Sequence, residues 1–213
     1  MKGNRLLVLV ACSLLASCAE PVTAPPDSED LQPLFARGGR PFTPGEQQPT
    51  ADLTRGFTYA IYPLGEGQNL AQTFSPQKNQ KLGYLKLPVR CAPGVLLNVK
   101  IREGIGGAIM YEANVLGLFG PVDGTFELIQ VYDPATSHGL RIRKNRTYAF
   151  ELAAFPDPTI PNNPNRTCGM APGPAGDSYA RGQGYYEDVP TNGPEWLPLS
   201  AGGEDLPFIT LVR

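Results

Sequence analysis

A single histidine, His138, and a single tryptophan, Trp196, occur among 213 residues. With one imidazole, set between Ser137 and Gly139 in turn-like sequence, a serine or cysteine nucleophile has little prospect of a positioned base. A structural zinc site, which takes four Cys or His ligands at short spacing, is equally disfavoured by four cysteines and one distant histidine. Basic charge is also scarce: 18 Lys and Arg face 20 Asp and Glu, a net charge of -2. Nucleic-acid binding needs clustered cations that displace counterions from phosphates, so that class is disfavoured. The one basic run, Arg141-Ile142-Arg143-Lys144-Asn145-Arg146, reads as a solvated strand edge or turn, where charge discourages unwanted strand pairing. Apolar runs beyond the first 15 residues are never longer than a few positions, which leaves nothing to span a bilayer as a helix. With 24 Gly and 23 Pro, long helices of any kind are nearly excluded.

What is present is short alternating segments punctuated by Pro and Gly about every ten residues, the spacing of strands and turns in a sandwich or barrel. The chain therefore reads as all-β, with one domain large enough to bury a core. Val95 to Arg102 is the clearest strand, with Val95, Leu97, Val99 and Ile101 inside and Asn98, Lys100 and Arg102 outside. Lys81 to Cys91 places Leu85, Leu87, Val89 and Cys91 on one face. The folded part is expected to start near Gln68, with further strands from Leu70 to Phe74, Ile109 to Val115, Phe126 to Tyr132, Thr147 to Phe155, Gly184 to Tyr186, Pro194 to Leu197 and Asp205 to Val212, and Phe57 to Tyr62 as a lead-in. Pro156 to Gln183 is expected to be a long loop, a length that is usually functional or disordered.

The amino terminus has its own pattern. Lys2 and Arg5 precede an apolar stretch, Leu6 to Leu15, too short to cross a membrane. The stretch closes on Leu15-Ala16-Ser17-Cys18, which resembles a bacterial lipobox. The resemblance implies a signal peptide over residues 1–17, acylation of Cys18 and cleavage before it; an ordinary signal-peptidase site after Ser17 is the alternative. Two or three acyl chains anchor a protein durably, since each buried methylene contributes roughly 0.8 kcal/mol. Ala19 after the lipidated cysteine implies an outer-membrane destination in the cell envelope, on the periplasmic or the surface face. Residues 18–55, rich in Pro, Asp, Glu, Gln and Gly, are then expected to be lipid anchor and disordered tether, and 56–213 the β-sandwich domain. Cys12 leaves with the signal and Cys18 takes lipid, so Cys91 and Cys168 remain, and an oxidising compartment makes their disulfide the default over two free thiols.

Ala71-Gln72-Thr73-Phe74, Val99-Lys100-Ile101-Arg102-Glu103-Gly104, Asn145-Arg146-Thr147-Tyr148-Ala149-Phe150 and Tyr179 to Tyr185, followed by Trp196 and Asp205-Leu206-Pro207-Phe208, resemble in their order the jelly-roll modules of secreted bacterial proteins. Those modules are broadly similar to carbohydrate-binding and galactose-binding-like domains. The resemblance implies a single jelly-roll-like antiparallel β-sandwich of about eight strands that binds a glycan or another envelope component without catalysis. A structural or assembly role beside another envelope protein, or a polysaccharide-acting enzyme, are the alternatives.

Candidate ligand contacts are Tyr179, Tyr185, Tyr186 and Trp196, aromatic rings of the type that stack on pyranose faces and that equally fill sandwich cores. In an extended segment Tyr185 and Tyr186 face opposite ways, so at most one of the two meets a ligand. Asp157, Asn162, Asn163, Asn165 and Asp177 offer hard oxygen donors for a structural Ca²⁺, without the fixed spacing of a calcium loop, and solvated turn residues explain them as well. No other cofactor is expected. For glycan hydrolysis the available acids are Glu187, Asp188, Glu195, Glu204 and Asp205, and two of them would have to flank a cleft. Asp205 reads rather as a strand cap or a partner of nearby backbone.

Overall fold

Pro88 has no amide hydrogen to give a neighbouring strand, and it divides what alternation alone reads as one strand from Lys81 to Cys91. The computed structural model describes residues 41–63, 67–116, 118, 126–133, 135–136, 138–160, 165–174, 176, 179–188, 195–199 and 204–213. In chain order the strands are β1 (Thr43–Gln48), β2 (Tyr59–Ile61), β3 (Gln68–Phe74), β4 (Gln80–Leu87), β5 (Val89–Cys91), β6 (Val95–Arg102), β7 (Ile109–Val115), β8 (Glu127–Gln130), β9 (Leu140–Ile142), β10 (Tyr148–Pro156), β11 (Cys168–Met170), β12 (Gly184–Asp188), β13 (Trp196–Pro198) and β14 (Phe208–Val212). One short 3-10 turn, Leu53–Arg55, is capped by the Asp52 side chain.

Every pair of named strands is antiparallel. A six-stranded sheet runs β13-β12-β3-β10-β6-β7, a five-stranded sheet runs β1-β14-β4-β8 with β9 also on β4, and β2-β11-β5 form a small third sheet. The chain passes repeatedly between the two large sheets: β3 to β4, β7 to β8, β9 to β10, β13 to β14. The result is an all-β, jelly-roll-like sandwich. Its fourteen described strands exceed the expected eight because long runs break and short ones form within loops.

Between the sheets the side chains predicted to point inward do so. Leu85, Leu87, Val89, Leu97, Val99, Ile101 and Phe150 are fully buried. Phe208 on β14 meets Phe74, Phe150 and Tyr179 with ring centroids 6.0, 5.5 and 5.1 Å away, so one aromatic cluster joins the sheets. Cys91 and Cys168 are directly opposed across β5 and β11 and form a buried disulfide.

Two expectations change. The segment given to the tether, 18–55, contains β1, and the ordered fold reaches back at least to Thr43. Its inward residues are Glu46 and Gln48, both buried, rather than apolar ones. Glu46 accepts from the Tyr179 hydroxyl at 2.9 Å, from the Gln77 amide at 3.2 Å and from Arg181 at 2.5 Å. A buried carboxylate so supplied with donors is stable, and a hydrophobicity pattern does not register it. The stretch 156–183 is likewise not all loop, because β11 lies within it, bonded on both sides. Residues 1–17, Cys18 and the first part of the tether lie outside the described residues.

Candidate functional site

Side chains two apart on a strand share a face, so the register of the six-stranded sheet determines which residues line its outer surface. Trp196 on β13 faces Glu187 on β12, and Glu187 faces Asn69 on β3. Further along, Ala153 on β10 faces Asn98 on β6, and Asn98 faces Asn114 on β7. The next row holds Tyr185, Ala71, Glu151, Lys100 and Glu112. Small Ala153 lies between the long polar side chains, and a cavity of about 310 Å³ opens there, lined by Asn69, Asn98, Lys100, Arg102, Glu151, Glu187 and Trp196 among others.

The charges in this cavity are mostly paired. Arg102 gives its Nε to Glu151 at 2.6 Å and its Nη1 to the Gly107 carbonyl at 2.7 Å. The β6–β7 turn supports this arrangement: Gly104 and Gly106 take φ values of 74° and 66°, where a side chain is strained, and the Gly106 amide reaches Glu151 at 3.4 Å. Lys100 lies 3.6 Å from Glu112, and Asn98 donates to Glu112 and Asn114 at 3.0 and 2.9 Å.

Glu187 is different. It is 6 % exposed and accepts from Asn69 Nδ2 at 2.7 Å, with no cation against it among the described residues. Asn69 is 2 % exposed, and its Oδ1 is a buried acceptor with no partner. A buried acceptor left unpaired costs about 1–3 kcal/mol. The cavity is therefore lined by a carboxylate and by an asparagine whose buried amide oxygen has no partner, beside the half-buried ring of Trp196.

The sequence-predicted residues separate. Trp196 and Glu187 meet in the cavity, and Tyr185 lies on the same outer face. Tyr186 points the other way and packs against the core. Tyr179 is buried with Phe208, so neither of these two lines the cavity. Burial first, and then the Glu46 hydrogen bond and charge, push the Tyr179 phenol far above its ordinary range. Asp205 accepts from Gln72 Nε2 at 2.8 Å and from the Tyr179 amide at 3.0 Å, while Gln72 Oε1 takes the Leu206 amide at 2.7 Å. It fastens the lead-in to β14 onto β3.

Glu204 accepts from the Tyr59 hydroxyl and lies 3.9 Å from Arg55, away from Glu187. Glu195 is exposed, and Asp188 ends β12. His138 is bridged to Asp133 through the main chain. Asp157 accepts from the hydroxyl and amide of Thr159 at 2.7 and 2.8 Å, bonds that lower its pKa, as a turn-closing aspartate does. Asn165 is exposed; Asn162, Asn163 and Asp177 lie outside the described residues. Among the described residues no group of three His, Cys, Asp or Glu could hold a metal ion, and no helix is long and apolar enough to cross a membrane.

Sequence reasoning missed Asn69, Ala153 and Glu151 as members of this site. The signals pointing to it were the candidates Trp196 and Glu187, together with Asn98, Lys100 and Arg102 on the outer face of β6. No protein family, curated protein or solved structure matches the chain.

Proposed function

We propose that this chain is a lipid-anchored, non-catalytic module of the bacterial cell envelope that binds a glycan on the outer face of its six-stranded sheet. The observation that carries the reading is the unpartnered Oδ1 of buried Asn69 beside Glu187 and Trp196. A sugar offers what these groups lack: hydroxyl donors for the two acceptors and an apolar ring face for the indole. A cavity of about 310 Å³ suits one or two sugar rings rather than a long groove-bound chain.

The test is isothermal titration against a panel of cell-wall and plant polysaccharides and their oligosaccharides. Saturable heat is expected with one glycan class, weakened about tenfold by Trp196→Ala in a still-folded protein, the order of one stacked ring. Silence across the panel would reject the reading.

A polysaccharide-acting enzyme is the second reading, favoured by two carboxylates, Glu151 and Glu187, in one cavity. Against it, both carboxylate oxygens of Glu151 are already engaged by the protein, one by Arg102 and the other by the Gly106 amide. Product release from a sugar polymer, abolished in Glu187→Gln, is the result that would overturn the non-catalytic reading.

A protein partner in the envelope is the third. It is favoured by an apolar recess beside the disulfide, where Leu116 and Ile160 are 58 % and 44 % exposed. Stoichiometric co-purification of one envelope protein, lost in Leu116→Ser, would support it.

A further inference from the structure

On the five-stranded sheet three cations stand side by side on neighbouring strands. Lys81 and Arg213 exchange both main-chain hydrogen bonds, at 2.8 and 3.0 Å, and Lys81 faces Arg141 across β4 and β9. Directly opposed residues project from the same face with their Cβ atoms about 5 Å apart. Arg143, two residues beyond Arg141, lines the same open groove of about 730 Å³.

Lys81, Arg141 and Arg143 have no carboxylate side chain within 4 Å among the described residues. With Arg213, the groove is lined by four cationic side chains and, among the described residues, by no acidic one.

Like charges directly opposed destabilise a sheet, so this row needs a reason. Guarding an edge accounts for Arg141 on β9, but not for Lys81, which at this level has Arg213 on one side and Arg141 on the other. The row is also positioned. The Arg213 guanidinium lies 4.8 Å from the centre of the Phe42 ring, and that ring covers Gly83 so closely that a Cβ there would collide with it.

We propose that this groove binds phosphate groups. Guanidinium forks take phosphate oxygens in pairs, and cations at strand spacing suit two linked phosphates or adjacent phosphorylated headgroups better than one carboxylate. The site is separate from the glycan cavity and does not depend on it, since the two share no residue.

Titration of the full chain with sodium pyrophosphate at low salt, where charge contacts are least screened, tests the proposal. Saturable heat is expected, weakened about tenfold by Arg141→Gln and further by Arg141→Gln with Lys81→Gln, one charge-assisted contact at each step. Lys86→Gln, on β4 outside the groove, should bind like wild type. Without anion, Arg141→Gln should melt no lower than wild type, because it relieves repulsion, which separates lost binding from lost folding. Sedimentation with phosphatidylglycerol vesicles but not phosphatidylcholine vesicles would assign the phosphate to a lipid headgroup. Pyrophosphate binding without vesicle binding would assign it to a soluble ligand. No heat with pyrophosphate, or equal heat from wild type and the double variant, overturns the proposal.

Discussion

Glu46 and Tyr179 illustrate how single polar residues hold this sandwich together. The phenol donates to a buried carboxylate while its ring packs on Phe208, so its proton is retained well above the ordinary value of 10.0. A raised pKa means that the unfolded chain releases the proton first. The corresponding stability is complete below the ordinary value and is lost as pH rises past it toward the folded-state value. Tyr179→Phe cannot ionise, and it should flatten the alkaline limb of a plot of Tm against pH while costing about 1.5–3 kcal/mol at neutral pH for the lost hydrogen bond to a charge. An unchanged alkaline slope in that variant would show that another group controls it. Asn69 stands at the opposite extreme, an amide with one satisfied end and one unsatisfied end.

At the scale of elements, β1 is the informative strand. It pairs with β14, the Thr210 hydroxyl donates to the Glu46 carbonyl at 2.8 Å, and the Glu46 side chain answers Tyr179 and Arg181. A chain begun at Gly56 keeps every segment that alternation identifies and loses these partners. It should unfold at lower urea, by about 2–4 kcal/mol for buried bonds to a charge; an equal midpoint would make β1 dispensable. Of the strands that were legible in the sequence, β6 and β10 carry apolar residues at every second place over seven or more positions, and β3 and β4 do so over part of their length. Those that were not, β1, β9 and β11, are short or turn polar residues inward, and their stability comes from neighbours distant in sequence. The candidate site shows the same division. The outward set on β6 was readable from its period of two, whereas its meeting with Asn69, Glu151 and Glu187 depends on sheet order, which local pattern does not encode.

For the whole molecule, the disulfide acts as a long-range constraint. It closes 77 residues of sequence and joins two strands of only three residues each, which also pair through the main chain. In the chain-entropy description such a loop contributes about 4 kcal/mol. The Cys91→Ser, Cys168→Ser double variant should lose stability of that order in denaturant, and wild type in reductant should match it; a double variant as stable as oxidised wild type would remove the bond from the account. The first and last strands have a different consequence. Thr43 lies opposite Val212, so the fold starts and finishes at one corner, and the order in which its segments are joined is separable from the way they pair. A short bridge across that corner, with the chain opened at the exposed turn after Pro158, would give a circular permutant that retains every strand pair of the original.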